Sequence, residues 1–394
     1  MKKIRILYIH HSIGLGGAPK SLSLLIAGLD KSRFEPIVVM PKRTGNDTVK
    51  QMFLDAGARV IEERDVRAFN GSEVAPCKTL MDRAYALLSY NKLVSCTAKL
   101  VDDLKPNLVH LNSTCLVGAA KGTHQADKSI PVIAHVREPL LLNWWGRLLA
   151  AMNRRHVDHF ISIDKYGLDS IGCNTSENGD IVFNFVDLNV FRTDPDRAIQ
   201  KRKDLNWQAD QIVFLSLSRV STSNGALDLA NLVLSNSDRL HPSAAFAFAG
   251  FHEPKTDYAA SVAESIGRSS RCIELPFDPD PVGLIDASDV IIAPFTTPHS
   301  ARSVFEGAAM GKPAIVSNLP NLCELIQDEK TGLKFDLNND NSFVEAVNKL
   351  CDSELRKYFG DSSVEFAIEK FDQTKNVRRT IDVYQDLLEK GFES

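Results

Sequence analysis

The 394-residue chain lacks the cysteine spacing and the long apolar runs that mark several classes of protein. Its seven cysteines are scattered, and no two have CxxC spacing. This argues against a zinc site or a disulfide framework and favours reduced thiols in a cytoplasmic protein. No run of about 18 apolar residues is present, so no transmembrane helix is predicted. The apolar run from Ile6 to Ile9 is too short for the core of a signal peptide.

An excess of positive charge is also missing. The 46 lysines and arginines stand against 50 aspartates and glutamates, which gives a net charge of −4. General nucleic-acid binders gain most of their affinity by neutralising phosphates, so that class is not expected. A small phosphorylated ligand stays compatible, because it needs only a few local donors. Apolar residues are plentiful at 44%, and the length corresponds to two or three domains.

Short apolar runs alternate with helical patterns along most of the chain. The run Ile4–Ile9 is nearly continuous, as expected of a parallel strand that is covered on both faces. This βαβ rhythm predicts doubly wound parallel sheets. Further strands are predicted at 37–40, 108–111, 132–134, 160–163 and 181–183, and then at 212–217, 245–249, 272–275, 290–293 and 314–316.

The rhythm stops at residues 184–210, a polar stretch that contains Pro195 and no strand pattern. We interpret it as a linker between two Rossmann-like domains, residues 1–190 and 191–372, with a C-terminal helical segment at 373–394. Two doubly wound halves would place a ligand cleft between the carboxyl ends of their sheets.

A glycine-rich turn, Gly14-Leu15-Gly16-Gly17, follows the first predicted strand and precedes a helix predicted to start at Ser21. Glycines let backbone N–H groups approach an anion, and a helix N-terminus favours negative charge. The spacing does not fit a dinucleotide fingerprint, because Pro19 fills the third glycine position. A tight turn without a ligand is the alternative interpretation.

Two further candidates follow predicted strands directly. His135 lies at the end of the strand at 132–134, where a histidine could hydrogen-bond a substrate hydroxyl. A structural histidine that caps the next helix is the alternative. Arg219 follows the strand at 212–217, and its guanidinium suits a diphosphate. A surface arginine paired with a carboxylate would produce the same pattern.

The segment PFTTPHSARSVFEGAAMGKP runs from a strand through a loop into a helix. Its residues Ser300, Ala301, Arg302 and Ser303 are expected at the helix N-terminus, where free N–H groups could hold phosphate. Glu306 lies one turn deeper and could accept hydrogen bonds from a ribose diol. An ordinary first-turn glutamate, stabilised by the helix dipole, is the alternative.

In their order along the chain, these segments resemble the family 4 glycosyltransferases. The resemblance rests on GLGGAPKSL, VHLNSTCLVGAA, AHVREPL, ISIDKYGLDSIG, IVFNFVDLNVF, LSRVSTSNG, SVFEGAAMGKPAIVSN and KTGLKF. It implies the α/β GT-B fold, with two Rossmann-like doubly wound domains facing a central cleft. It also implies transfer from a nucleotide-sugar, with a UDP-sugar favoured, that retains anomeric configuration and needs no cofactor or metal.

The resemblance assigns roles to the candidate residues. Residues 1–190 become the acceptor side, residues 191–372 the nucleotide-sugar side, and the last helix crosses back to the first domain. Catalytic roles fall on His135, Arg219 and Glu306. Donor binding falls on Gly16, Gly17, Arg219, Asn224, Ser300, Ala301, Arg302, Ser303 and Glu306. Contacts to the acceptor are expected from His10, His11, Lys20 and Arg137.

The chain departs from the family pattern on the donor side. Asn224 stands where the family has a lysine, so Arg219 must hold the diphosphate with one cation fewer. Arg302 is a candidate substitute for that charge. Pro298 stands where the first glutamate of a pair is usual, and His299 or Ser300 could make the sugar contacts instead.

The segment 140–149, LLLNWWGRLL, combines two tryptophans with Arg147, and Arg154 and Arg155 follow. Such a segment could lie at a lipid headgroup layer, which would suit a lipid-linked acceptor in surface-polysaccharide assembly. A helix packed on the sheet, with solvated arginines, is the alternative. We therefore expect a cytoplasmic protein without a nucleic-acid partner, and a peripheral contact with the inner face of the membrane stays open as the alternative to a packed helix.

Two other functions remain open beside a retaining glycosyltransferase. Asn224 and Pro298 would fit a non-catalytic partner subunit with the same fold. A nucleotide-sugar 2-epimerase shares the architecture and would act without an acceptor, although the motifs fit that family less well.

Overall fold

A computed structural model describes residues 3–12, 14, 16–175, 177–252, 255–276, 278 and 280–390. The chain divides into two compact units. The first comprises Met1–Asn184 together with Gln373–Ser394, and the second comprises Phe185–Asp372. The first division falls at Asn184, slightly before the boundary expected at residue 190.

The first unit is built on a parallel sheet of seven strands in the order β3-β2-β1-β4-β5-β6-β7. Its inner strands are buried over most or all of their length, which explains why their sequences are near-continuous apolar runs. The strands are β1 (Ile4–Ile9), β2 (Phe34–Pro41), β3 (Arg59–Glu63), β4 (Leu108–Leu111), β5 (Val132–Val136), β6 (His159–Ser162) and β7 (Gly179–Ile181).

Helices cross between these strands and bury apolar side chains against the sheet. They are α1 (Gly17–Ala27), α2 (Asp47–Asp55), α3 (Leu80–Leu104), α4 (Val117–Ala126), α5 (Trp144–His156) and α6 (Lys165–Ile171). Side-chain caps fix several starts. The Asn143 side chain accepts from the N–H groups of Trp145 and Gly146, so α5 begins at Trp144.

The second unit repeats this plan with a parallel sheet of six strands in the order β10-β9-β8-β11-β12-β13. Its strands are β8 (Ile212–Leu217), β9 (Ala244–Ala249), β10 (Cys272–Glu274), β11 (Val290–Ala293), β12 (Ala314–Ser317) and β13 (Gly332–Phe335). Its helices are α7 (Pro195–Asp204), α8 (Ala226–Ser235), α9 (Asp257–Gly267), α10 (Pro281–Ala287), α11 (Arg302–Ala309), α12 (Pro320–Cys323), α13 (Asp340–Lys349) and α14 (Ser353–Lys370).

The last helix, α15 (Gln373–Lys390), belongs to the first unit. Asn376 donates through Nδ2 to the carbonyl of Phe183 at 3.1 Å. Tyr384 is fully buried and reaches strands β1 and β4 through its hydroxyl group. The end of the chain therefore completes the core of the unit with which it began.

Both sheets change direction of winding at one point, between β1 and β4 and between β8 and β11. In doubly wound sheets, loops that leave the carboxyl ends of the strands at such a point diverge and create a ligand crevice. The loops after β1, β4, β8 and β11 are therefore where each unit is expected to bind. The prediction of two doubly wound α/β units is confirmed.

Two expectations need correction. The polar stretch 184–210 is not an unstructured linker, since it contains α7, whose first residue is Pro195 and whose cap is Asp194. A proline in the first turn costs no hydrogen bond, so it starts this helix instead of breaking one. For the same reason α1 starts at Gly17 and includes Pro19, four residues before the predicted Ser21.

Candidate functional site

In the second unit, the loop after β8 and the loop after β11 are joined by two hydrogen bonds. The N–H of Thr296 donates to the carbonyl of Ser223 at 3.0 Å, and the Thr296 hydroxyl donates to the carbonyl of Thr222 at 2.8 Å. Gly225 makes this approach possible. Its φ is +67°, and a Cβ there would lie 1.8 Å from the carbonyl oxygen of Pro294.

Arg219 lies on this joined pair of loops, just beyond the carboxyl end of β8, and its side chain is exposed. Its carbonyl oxygen accepts from Nδ2 of Asn224 at 2.8 Å. Asn224 is buried, and its hydrogen bond fixes the backbone of Arg219. A guanidinium held in this position can meet a phosphate that approaches the switch point of the sheet.

His299 contributes to the same cluster from the loop after β11. Its Nε2 atom lies 2.8 Å from Oδ1 of Asn224, and its Nδ1 atom lies 2.9 Å from the carbonyl oxygen of Thr297. The ring stacks on Phe295, with centroids 4.3 Å apart and planes 11° apart. Burial lowers the pKa of His299, the Thr297 carbonyl raises it, and the charge of Arg219 lowers it further.

Helix α11 begins within this cluster, as expected from the sequence. Ala301 is its N-cap, and Arg302 is its first residue. No side chain caps this end, so the first N–H groups, including that of Ser303, point out of the helix without an intrahelical acceptor. Ser300 precedes the cap. The start of α11 thus supplies backbone donors where the sequence placed a phosphate or sugar contact.

Glu306 is 7% exposed and forms an ion pair with Arg302, one turn earlier on α11. Nε of Arg302 donates to Oε1 of Glu306 at 2.9 Å, and its terminal nitrogen donates to the carbonyl of Phe185 at 3.3 Å. The charge of Arg302 is therefore compensated inside the helix. This weakens the suggestion that Arg302 replaces the cation lost at Asn224.

In the first unit, Gly16 and Gly17 lie at the start of α1, after β1. Gly16 is the N-cap and has an extended backbone conformation. Because glycine has no side chain, no side chain caps this end of the helix. Both glycines are exposed. Backbone N–H groups at such a helix start can hold an anion.

The loops after β1 and β4 are joined by a buried contact between His10 and Asn112. Nε of Arg137 donates to Oδ1 of Asn112 at 2.6 Å, so Nδ2 of Asn112 faces Nδ1 of His10, 2.9 Å away. An amide nitrogen can only donate, and Nδ1 of His10 is therefore the acceptor. The neutral His10 ring carries its proton on Nε2, which has no partner among the described residues.

Arg137 follows β5 and ties this group to the end of the first unit. Its terminal nitrogen donates to Oδ1 of Asn184 at 3.3 Å, and the Ser21 hydroxyl donates to the same oxygen at 2.9 Å. Arg137 is 9% exposed. Burial, together with the charges of His11 and Arg137, lowers the pKa of His10 well below its usual range.

His135 is the last member of a buried hydrogen-bonded chain. The Tyr8 and Tyr384 hydroxyls lie 3.3 Å apart, the Tyr384 hydroxyl lies 2.6 Å from Nδ1 of His110, and Nε2 of His110 lies 3.3 Å from Nδ1 of His135. When donation runs from Tyr8 towards His135, the neutral His135 carries its proton on Nε2. That atom is buried and has no partner among the described residues. This arrangement presents an N–H group to a ligand.

Lys20 and His11 occupy different settings. Lys20 is exposed on α1 and lines a groove of about 450 Å³ between α1 and α2, together with Ser23, Leu24 and Gln51. The His11 ring lies 6.0 Å from that of His10, and burial lowers its pKa to about 4. The structure thus brings His10, Arg137 and His135 into one buried polar region of the first unit, whereas Lys20 belongs to the surface groove.

Sequence reasoning missed several members of these clusters. Asn112, His110 and Asn184 lie in quoted family segments but were not singled out as site residues. A polar residue directly after a buried strand was the available signal for Asn112. Nothing in the local sequence pointed to Tyr384, which meets His110 across 274 positions of the chain.

Neither a metal site nor a bilayer-spanning helix is found in the described part of the chain. It contains no cluster of three or more His, Cys, Asp or Glu side chains placed to hold a metal ion. None of the helices in the described ranges has the length and apolar character needed to cross a bilayer.

The two doubly wound units each place polar side chains at the switch point of a sheet, and comparisons with known proteins identify the fold further. Residues 198–366 match the family described as glycosyl transferases group 1. This match lies within the second unit, which holds Arg219, His299 and Glu306. This part of the chain is therefore similar to the glycosyl transferases group 1 family, in agreement with the resemblance seen in the sequence.

Solved structures show the same fold over almost the entire chain. Anabaena HepE in complex with UDP and glucose is 18% identical, with a TM-score of 0.80 and coverage of 98% of this chain and 100% of HepE. A glycosyltransferase from Rickettsia africae is 16% identical, with a TM-score of 0.79 and coverage of 98% and 99%. The fold is GT-B.

A curated relative adds a functional comparison. The Escherichia coli UDP-Gal:alpha-D-GlcNAc-diphosphoundecaprenol alpha-1,3-galactosyltransferase is 24% identical over 264 residues. The alignment covers 66% of this chain and 65% of the relative, so it spans somewhat less than two thirds of that protein's length.

Proposed function

We propose that this protein is a retaining glycosyltransferase that moves a sugar from a UDP-sugar to a lipid-linked or glycan acceptor in surface-polysaccharide assembly. The observation that carries the proposal is the cluster of Arg219, Asn224, His299 and the start of α11 at the switch point of a glycosyl transferases group 1 domain. Two relatives support the donor class, because one is a UDP-Gal-dependent galactosyltransferase and the other was crystallised with UDP and glucose.

The donor would be held mainly by its diphosphate. Arg219 supplies a guanidinium, and the N–H groups at the start of α11 supply backbone donors. Glu306 would accept hydrogen bonds from the ribose diol, which requires one of its oxygens to stay available beside the Arg302 pair. The resemblance adds Gly16 and Gly17 as backbone contacts to the same diphosphate.

Chemistry in such a site would depend on groups that are placed before the substrate arrives. Negative charge grows on the departing diphosphate, and fixed donors in a water-poor site stabilise that charge most strongly. In the first unit, His135 offers its Nε2 N–H to an oxygen of the transferred sugar. The family resemblance implies front-face attack, with the leaving phosphate accepting the acceptor's proton and no resident metal taking part.

The acceptor is expected to bind to the first unit. The groove between α1 and α2 presents Lys20 beside the apolar side chain of Leu24 and the polar side chain of Gln51. A cation beside an apolar wall suits a phosphorylated lipid with an attached sugar. His10 and His11 follow β1 directly, and the family resemblance assigns them contacts to the acceptor.

The first unit also carries an exposed apolar surface that fits a membrane, which we call the α3–α5 surface. Its members on α3 are Leu80, Met81, Tyr85, Leu87 and Leu88, and those on or before α5 are Leu142, Trp144 and Leu148. Arg83 joins the two helices, since its guanidinium carbon lies 4.8 Å from the Trp144 ring centroid and 5.8 Å from that of Trp145.

The tryptophan pair is divided between two roles. Trp145 is 2% exposed, stacks on Phe69 and donates to the carbonyl of Asn70 at 2.8 Å, so it belongs to the core. Trp144 is 58% exposed. No Asp or Glu occurs from residue 139 to 157, whereas Arg147, Arg154 and Arg155 do. Apolar side chains flanked by cations favour an anionic lipid surface, where the lipid-linked acceptor would reside.

The test uses the full-length protein and a panel of UDP-, GDP- and ADP-sugars in a thermal-shift screen. Specific binding raises the unfolding temperature by mass action. The nucleotide-sugar that binds is then incubated with a GlcNAc-diphospholipid, and release of nucleoside diphosphate is measured. Acceptor-dependent release with a retained anomeric centre supports the proposal. If no nucleotide-sugar binds and none is consumed, the proposal is wrong.

Asn224 and Pro298 favour one alternative, a non-catalytic subunit with the same fold. The double variant Asn224→Lys with Pro298→Glu restores both family residues. If the parent protein is inactive and only this variant turns over a nucleotide-sugar, the partner-subunit interpretation is correct.

A further inference from the structure

The His299 ring is placed between two oxygen acceptors. A carbonyl oxygen can only accept, so the Thr297 carbonyl calls for an N–H at Nδ1. The Asn224 amide is oriented by its bond to the Arg219 carbonyl, which turns Oδ1 towards Nε2 of His299 and calls for an N–H there as well. A neutral imidazole has one N–H, and only the protonated ring satisfies both contacts.

The surroundings hold the ring in this orientation. Phe295 stacks on it with centroids 4.3 Å apart and nearly parallel planes, which favours the ring plane that faces both oxygens. The face of an aromatic ring also accommodates a cation. The geometry is therefore set for an imidazolium before any ligand arrives.

The charged group that acts on this ring is Arg219, which comes from the loop after β8. The neighbouring Asn224, Thr297 and Phe295 carry no charge. Burial and the arginine both lower the pKa of His299, and thus the free protein keeps the ring mainly neutral at neutral pH. A bound anion beside Arg219 would reverse that balance, because it adds negative charge next to both groups.

The absence of the family's lysine at position 224 leaves the donor site without its second positive charge, which a protonated His299 could supply. Asn224 occupies the lysine position, and its amide contacts His299 directly at 2.8 Å. Arg302 is the other nearby cation on the α11 side, and it is paired with Glu306. His299 is therefore the group that can provide a second charge at this place.

We propose that His299 becomes the second cation of the donor site, taking up one proton from solvent when a nucleotide-sugar diphosphate binds beside Arg219. The inference rests on the proposed function and deepens it. No covalent bond is formed or broken in this step. The ring gains a proton at the nitrogen that lacked one, and the two oxygens already in place accept both N–H groups.

The experiment is calorimetric titration of the full-length protein with UDP-galactose, whose diphosphate is a diester and does not itself titrate near neutral pH. Titration at pH 7 in buffers of different ionisation enthalpy gives the number of protons taken up. We expect uptake approaching one proton, and an affinity that falls by up to about tenfold per pH unit between pH 6 and 8.

His299→Asn removes the titrating ring, and His241→Asn is the matched control, since His241 is an exposed histidine of the same unit. His299→Asn should take up no proton and bind roughly tenfold more weakly at pH 6, with the difference shrinking at higher pH. His241→Asn should match the parent. Adding Asn224→Lys to His299→Asn should restore affinity without pH dependence.

The outcomes separate this inference from the proposed function. If the parent binds UDP-galactose without proton uptake, or if His299→Asn keeps the parent's uptake and pH profile, the inference is wrong while donor binding stands. A double variant as weak as His299→Asn alone would equally contradict it. If the parent does not bind UDP-galactose at all, the expected use of this donor fails and the inference fails with it.

Discussion

Asn112 donates a hydrogen bond through its side-chain nitrogen to Nδ1 of His10 at 2.9 Å, joining the ends of β1 and β4. The amide cannot turn over, because its oxygen accepts from Arg137. His10 is thereby fixed as a neutral ring with its proton on Nε2. Several other histidines of the first unit also have lowered pKa values, so the stability of this unit should decrease at acidic pH.

We expect the free energy of unfolding to fall as the pH drops from about 6.5 to 5. His10, His11, His110 and His135 all have lowered pKa values in the folded protein, about 4 for His11 and about 3 for His110, with burial as the main cause. The unfolded chain binds protons there that the folded chain does not. Each such histidine costs about 1.4 kcal/mol per pH unit below 6.5.

Urea unfolding at several pH values measures this slope. The His110→Gln variant removes one of the four titrating rings. Its free energy of unfolding should therefore change with pH less steeply than that of the parent, by about 1.4 kcal/mol per pH unit. A free energy of unfolding that stays constant between pH 6.5 and 5 would contradict the assignment of neutral, buried rings.

Tyr384→Phe should lower the free energy of unfolding by about 1–3 kcal/mol. The substitution leaves Nδ1 of the fully buried His110 without its partner at 2.6 Å and also removes the contact to Tyr8. Tyr8→Phe is the matched control, since it removes only the 3.3 Å contact and should cost less. Equal decreases in the free energy of unfolding for the two variants, measured by denaturant unfolding, would show that the contact between Tyr384 and His110 adds no stability of its own.

Gly225→Ala should separate the loops that form the donor cluster. The new Cβ would lie 1.8 Å from the Pro294 carbonyl oxygen at a backbone φ of +67°. We expect a loss of about 2 kcal/mol or more in stability, together with weaker nucleotide binding.

Gly267→Ala at the end of α9 is the control for this variant. A Cβ there meets no atom within 4 Å, so the change should be neutral or stabilise by up to about 1 kcal/mol. A Gly225→Ala protein as stable as the parent, with full nucleotide affinity, would contradict the close approach of the two loops.

The α3–α5 surface should bind vesicles that contain anionic lipid. The double variant Leu88→Glu with Trp144→Glu replaces two exposed apolar side chains with charges and should reduce partitioning by tenfold or more. Ile199→Glu is the matched control, because Ile199 is 53% exposed on α7 of the second unit. Co-sedimentation measures the effect, and identical binding by both variants would exclude the α3–α5 surface as the contact.

The sequence predicts the inner strands well and the edges poorly. Strands at 4–9, 108–111, 212–217 and 290–293 match the structure residue for residue, because burial on both faces produces continuous apolar runs. The edge strands β3 and β13 were missed, since Arg59–Glu63 and Gly332–Phe335 mix polar and apolar residues. An edge strand has one neighbour and needs less apolar sequence.

Candidate site residues could be picked from the sequence where they lie at the end of a strand. Contacts between two distant loops could not be predicted. The sequence singled out His135 and Arg219 because both lie at or near the carboxyl end of a strand, β5 and β8 respectively. The contact of His299 with Asn224 spans 75 positions, and that of Tyr384 with His110 spans 274. Neither contact leaves a local pattern, because folding alone brings these groups together.

The central claim is that the loops after β8 and β11 bind the diphosphate of a nucleotide, with Arg219 as its main anchor. Calorimetric titration of UDP into the parent protein and into Arg219→Ala tests it directly, with Arg268→Ala as a control because Arg268 is another exposed arginine of the second unit. We expect Arg219→Ala to weaken binding by about 1.5–3 kcal/mol and Arg268→Ala to leave it unchanged. An Arg219→Ala protein that binds UDP as tightly as the parent would contradict the claim.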